Sequence, residues 1–243
     1  MRRGEFVTRD GVRLSTIEAG SHEGQPLVMV PGWSQSAAQF CRQFEALGEV
    51  ARVIAVDMRG HGLSDKPETG YRIARLAKDL HEFVSGLGLE RPDMLGHSMG
   101  VAVIWSYLSM FGAEAPPRRL VFVDQPAAVL GRRHWAADER ADAGCLLGSL
   151  DDLGQFETAV LACDAPASLA NLLRPMFSAR VDEDDLLWVA AENLRFPRRH
   201  AMQLLDDTAV HDWRSLIASI RHPTLVIGGE ASQVPARSQR WIA

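Results

Sequence analysis

The stretch Gly96-His97-Ser98-Met99-Gly100 sets one serine between two glycines, where an apolar run (92–95) gives way to a helical one (100–112). A serine at such a corner can be a nucleophile. Its hydroxyl is exposed and its backbone is crowded, a crowding that flanking glycines tolerate. The head of the following helix offers unpaired N–H groups and a favourable dipole, which stabilise negative charge developing on a carbonyl oxygen. A loop that merely contains Gly and Ser would look the same in isolation, so the surrounding elements decide.

A second stretch, Val28 to Ser36 (VMVPGWSQS), ends an earlier apolar run in Pro31-Gly32-Trp33. There the Trp33 N–H can pair with the Met99 N–H as an oxyanion hole. A third, VDMRGHGLSDKP (56–67), is Gly-rich and charged. Asp57, Arg59, His61 and Asp65 within it resemble a metal or catalytic cluster. A rigid turn tied by side-chain hydrogen bonds, shaping the wall behind the serine, explains them better.

The elements that must position these groups follow from periodicity. Asp10-Gly11 between alternating segments marks a hairpin. The runs 26–32, 51–60, 92–98, 118–125 and 222–230 are continuous and apolar, as strands covered on both faces require. Between them, 36–47, 73–88 and 100–112 carry apolar residues at helical spacing, with Ser34 or Ser36 as a cap for the first. Alternating strands and helices mean crossover units and a mostly parallel, doubly wound sheet. From 127 to 211 only helical patterns occur, so the expected organisation is a core of 1–126 and 212–243 with a helical cap, 127–211, inserted. Trp135, Phe156, Phe177, Trp188 and Phe196 are expected mostly as cap core.

Bulk properties narrow the function. The 243 residues carry a net charge of −5 and 47% hydrophobic residues. This balance favours a globular core and disfavours nucleic acid as a partner. Arg132-Arg133-His134 and Arg198-Arg199-His200 read as solvated helix ends. Three dispersed cysteines show no zinc spacing and suit a reducing compartment. With no signal-peptide pattern and no long apolar span, the expectation is a cytoplasmic protein without a membrane partner. Oligomeric state stays open, a homo-oligomer included.

Taken together, PGW, DMRGHGLSDKP, GHSMG, LVFVDQP and PTLVIGG resemble, in order and spacing, the α/β-hydrolase fold superfamily. The resemblance covers the whole chain and is closest to small esterases and non-haem chloroperoxidase-like hydrolases with a helical cap. It implies Ser98 as nucleophile, Trp33 and Met99 N–H as oxyanion donors, a small-molecule substrate, and no metal or cofactor. Many relatives carry the triad acid after the strand matching PTLVIGG, in a G-x-x-D pattern; here Ser232 stands in place of that Asp. Glu230 is one candidate acid. Asp124, at the end of the preceding strand, is the other and is preferred.

The resemblance places the general-base histidine after one further strand. No histidine follows His222, so the chain is expected to be C-terminally incomplete, with weak activity or none by itself. The expected function is hydrolysis of a carboxylic ester, lactone or thioester through an acyl-enzyme. The alternative is a catalytically inactive small-ligand binding protein of the same fold. Epoxide opening or dehalogenation ranks below both, because relatives with those activities use Asp where this chain has Ser98.

Overall fold

The computed structural model describes residues 1–230 and 232–243. The chain enters through β1 (Arg2–Val7) and β2 (Arg13–Ala19), an antiparallel hairpin closed at Asp10-Gly11. Then come β3 (Pro26–Val30), a 3-10 turn (Ala37–Phe40) running into α1 (Cys41–Leu47), β4 (Arg52–Val56) and α2 (Ile73–Gly86). β5 (Asp93–His97), α3 (Met99–Phe111) and β6 (Leu120–Val123) complete the first part. Six helices follow before the next strand: α4 (Ala137–Ala143), α5 (Leu150–Leu161), α6 (Pro166–Leu173), α7 (Glu183–Asn193), α8 (Arg198–Ala209) and α9 (Arg214–Ile217). β7 (Thr224–Ile227) and α10 (Ala236–Ile242) close the chain.

The sheet order is β1-β2-β4-β3-β5-β6-β7, and β3 to β7 run parallel. The chain leaves β3 toward β4 on one side and returns to β5 on the other. That reversal is a topological switch point, where parallel sheets open a crevice at the strands' carboxyl ends. Both Trp33 and Ser98 follow strands at this point.

Alternation along the central strands explains the two layers. Val28, Val30, Ile54 and Val56 face α2 and α3, whereas Met29, Val53 and Ala55 face Ala37, Phe40 and Phe44. Helix α3 is buried continuously from Met99 to Tyr107 because it lies between the sheet and α2 with further helices beyond. Its apolar residues therefore run all round rather than forming a stripe. The last strand departs from the expected buried one. β7 pairs only with β6, so Leu225 and Ile227 stay 57% and 44% exposed.

The helical insertion is tied to the loops at the carboxyl edge. The Trp33 indole donates to the Ala201 carbonyl at 2.9 Å, and the Ser36 hydroxyl donates to Glu192 at 2.6 Å. Asp207 accepts from the Ile73 backbone N–H at 2.8 Å, which caps the start of α2. Phe196, between α7 and α8, is fully buried against His61 and Tyr71, with ring centroids 4.2 and 5.4 Å away.

His61 has no exposed surface. Its Nδ1 lies 3.0 Å from the Arg59 carbonyl and must carry the ring proton, while Nε2 is buried without a partner among the described residues. Burial holds its pKa down at about 4. The folded protein thus keeps His61 neutral where the unfolded chain takes up a proton. Its contribution to stability is present above about pH 6.5 and is lost progressively as pH falls toward 4. Urea unfolding of the wild type and His61→Phe at pH 7 and 4.5 is expected to show the variant losing roughly 2–3 kcal/mol less between the two conditions.

Candidate active site

Ser98 sits at the head of α3 with φ 51° and ψ −128°, a left-handed backbone that a non-glycine residue rarely adopts. An ordinary N-cap serine is extended and spends its hydroxyl on its own helix. Ser98 makes no such capping bond, so its hydroxyl is left for other chemistry. The bend is enforced by close backbone approach on both sides. A Cβ on Gly100 would lie 2.1 Å from the Val30 carbonyl oxygen, and one on Gly96 would lie 2.5 Å from the Val101 nitrogen.

The loop after β3 packs directly on this elbow. A Cβ on Gly32 would meet the Ser98 Cβ at 3.3 Å and His97 Nδ1 at 3.2 Å. Trp33 follows, and its backbone N–H has no acceptor among the described residues. Met99, the first residue of α3, has an N–H that the helix itself leaves unpaired. The two predicted oxyanion donors therefore belong to loops in contact. The Trp33 side chain turns the other way, toward Ala201 and Phe156.

Asp124 lies one step beyond β6, as Ser98 lies one step beyond β5. The parallel ladder continues through both: the Ser98 N–H donates to the Val123 carbonyl at 2.8 Å, and the Asp124 N–H to the Ile227 carbonyl at 2.9 Å. They therefore stand at the same level of neighbouring strands, with backbones about 5 Å apart. Asp124 also has positive φ, 55°. Its Oδ2 accepts the Ser232 hydroxyl at 2.6 Å, and its Oδ1 is buried without a partner among the described residues. Glu230 is exposed in the turn after β7.

Ser232 is a residue that sequence reasoning noted only as a substitution. Its hydroxyl also accepts the Val234 N–H at 3.0 Å, which fixes the direction of the bond to Asp124. No histidine hydrogen-bonds Ser98 or Asp124 among the described residues. His97, next to the serine, is turned toward Gly32, and its buried Nδ1 lacks a partner. Burial lowers its pKa, only partly opposed by the charge of Asp124.

The charged turn at 56–67 is structural in its contacts. Asp57 accepts the backbone N–H groups of Ala37 (2.6 Å) and Leu63 (2.8 Å), which locks the turn to the start of the Ala37–Phe40 segment. Arg59 grips Asp79 through Nε and Nη2, at 2.5 and 2.7 Å, and reaches Asp10. Asp65 pairs with Arg13. Among the described residues no cluster of His, Cys, Asp and Glu has the arrangement of a metal site. No helix there is long and apolar enough to cross a membrane.

Residues 25–236 match the family described as the alpha/beta hydrolase fold. The chain belongs to that family. Within it, the chain is 27% identical over 237 residues to the AB hydrolase superfamily protein YisY of Bacillus subtilis, covering 95% of this chain and 82% of that protein. It is 40% identical over 98 residues to a soluble epoxide hydrolase of Corynebacterium sp. (strain C12), a match spanning 40% of this chain but only 34% of that enzyme. An esterase from Exiguobacterium antarcticum superposes with a TM-score of 0.85 at 26% identity, covering 98% of this chain and 85% of the esterase.

The close approach of α3 to β3 makes Gly100 intolerant of even one methyl group, since the obstacle is backbone. Gly100→Ala is expected to cost at least about 3 kcal/mol, lowering the melting temperature by roughly 6–12 °C. Gly154, inside α5 with nothing within 4 Å of a built Cβ, is the control. Gly154→Ala is expected to raise stability by about 0.5–1 kcal/mol. Calorimetry of the two variants checks both signs.

Proposed function

We propose that the chain is a serine hydrolase of carboxylic esters, lactones or thioesters, acting through an acyl-enzyme at Ser98. The observation that carries this is the backbone of Ser98 itself. Its positive φ, enforced by the approach of Gly100 to Val30, frees the hydroxyl at a helix head. Strain of this kind costs on the order of 1–3 kcal/mol, and sites keep it where mechanism needs it.

In this reading Ser98 Oγ attacks the substrate carbonyl carbon as its proton passes to a base. The carbonyl oxygen becomes an oxyanion held by the Trp33 and Met99 N–H groups. Collapse expels the alcohol or thiol, or opens the lactone ring, and the leaving atom takes the proton back from the base. Water then attacks the acyl-enzyme by the same steps in reverse order, releasing the acid and restoring Ser98.

Asp124 is assigned as the triad acid in preference to Glu230. It is held at the level of Ser98 by the sheet ladder, and one carboxylate oxygen is fixed by Ser232. Its other oxygen is buried and suited to accept an imidazole N–H. Turnover in this reading requires a histidine presented there, a role no histidine among the described residues fills. That observation favours one second reading, a binding protein of the same fold that holds a small ligand without turning it over. Epoxide opening fits less well: it is served by a carboxylate, which attacks without losing a proton, whereas the elbow carries a hydroxyl.

A fluorophosphonate probe with intact-mass detection separates the readings. The hydrolase reading expects one adduct, absent in Ser98→Ala, formed faster when imidazole is added as an exogenous base. With imidazole present, Asp124→Asn is expected to slow labelling by about 10²-fold or more, in line with the loss when the carboxylate that orients the base is neutralised. Glu230→Gln is expected to stay within about twofold, as surface changes away from such machinery do. A folded protein that takes no adduct with or without imidazole would leave the binding reading standing.

A further inference from the structure

The Arg198-Arg199-His200 segment is a helix end, as composition suggests, but only Arg199 in it is exposed. Arg198 is half-buried and His200 is 7% exposed, its ring stacked on Tyr71. Arg198 opens α8. Its Nη1 donates to Oδ1 of the buried Asn193 at 2.9 Å, which fixes the plane of the guanidinium. Its Nε and Nη2 are both shielded from water and have no partner among the described residues.

Nε and Nη2 form the side-on fork of a guanidinium, the edge that matches the two oxygens of a carboxylate. Three other arginines in this protein use that same edge on a carboxylate. Arg59 holds Asp79 at 2.5 and 2.7 Å, Arg118 holds Asp93 at 2.9 and 2.6 Å, and Arg214 holds Asp212 at 3.0 and 2.8 Å. Arg198 alone among these four has the fork both buried and unmatched. A half-buried cation of this kind is unfavourable unless something pairs with it.

Its place in the fold says what would pair with it. One helical turn after Arg198 comes Ala201, whose carbonyl receives the Trp33 indole. Trp33 directly follows Gly32, on which a Cβ would meet the Ser98 Cβ at 3.3 Å. The arginine thus belongs to the part of the insertion anchored on the oxyanion loop. We propose that Arg198 recognises a carboxylate on the small-molecule substrate, at the end remote from the carbonyl that Ser98 attacks. This rests on the hydrolase reading for the reaction, but not for the binding event. Desolvation lowers the Arg198 pKa, opposed only by the nearby Cys163 thiol, which makes no hydrogen bond to the fork.

Calorimetric titration with glutarate, and with the neutral glutaramide, tests the assignment on the wild type, Arg198→Lys and Arg198→Met. The expected result is binding of glutarate, with glutaramide and the Lys variant each weaker by about tenfold or more because the fork is lost, and no binding to the Met variant. Thermal unfolding supplies a readout that a purely structural role would lower further. Loss of the unmatched cation and loss of its bond to the buried Asn193 Oδ1 act in opposite directions, so the melting temperature of Arg198→Met is expected to stay within about 4 °C of the wild type. The proposal is overturned if wild type does not bind glutarate, if glutaramide binds equally, or if Arg198→Met binds glutarate as wild type does. Failure of the hydrolase reading shows separately, as absence of a fluorophosphonate adduct at Ser98.

Discussion

The backbone of α3 lies against the carboxyl end of β3 with no room for a side chain between Gly100 and the Val30 carbonyl, and the rest of the site depends on that contact. Because the helix begins so close to the sheet, the chain must turn sharply between His97 and Met99. Ser98 takes the left-handed backbone that the turn demands. The same closeness brings the loop after β3 onto the elbow, so that Gly32 touches Ser98 and His97. Strain is not spread evenly. Of the four non-glycine residues with positive φ among the described residues, Ser34, Ser98 and Asp124 all follow the carboxyl ends of parallel strands, and Arg91 lies elsewhere. Concentration of strain at one edge of a sheet is what a preorganised site requires, since ordinary loops relax it.

Electrostatic order around this edge divides into satisfied and unsatisfied groups. The buried charges that shape the walls are matched: Arg59 by Asp79 and Asp10, and Asp57 by two backbone N–H groups. These contacts hold loops still. Near the strand ends the pattern changes. Ser34 Oγ, His97 Nδ1 and Asp124 Oδ1 are all buried without partners among the described residues. Folding alone does not reward such groups, because each costs on the order of 1–3 kcal/mol of desolvation. Other buried orphans, such as His61 Nε2 and Trp105 Nε1, lie away from this edge, whereas these three sit at or just after strand ends. Asp124 shows both halves at once, one oxygen fixed by Ser232 and the other left over.

Much of this was legible in the sequence because the signals were local. Continuous apolar runs gave the parallel strands, period 3.6 gave α2 and α3, and paired glycines marked the elbow. Ser36 as a cap and the structural role of the 56–67 turn followed from side-chain chemistry within a few residues. What was not legible depends on contacts distant in the chain. Phe196, expected in the insertion's own core, packs instead against His61 and Tyr71, more than a hundred residues earlier. Ser232 looked like a lost acid until its hydroxyl was found on Asp124, 108 positions away. Arg198 looked solvated because adjacent basic residues usually are. β7 read as buried from its composition, whereas exposure depends on its rank in the sheet.

The helices between β6 and β7 are tied directly to the loop after β3 rather than resting on it. Trp33 donates its indole N–H to Ala201 of α8, while Ser36, three residues on, donates to Glu192 at the end of α7. Between those two helices Phe196 fills a slot in the core. A displacement of α8 would therefore pull on the residue next to Gly32, which packs on Ser98, and a ligand held as proposed by α8 would in turn stabilise that loop. Coupling of this kind lets binding at the far end of a substrate help set the geometry at its reacting carbonyl, so that recognition energy is realised where charge develops.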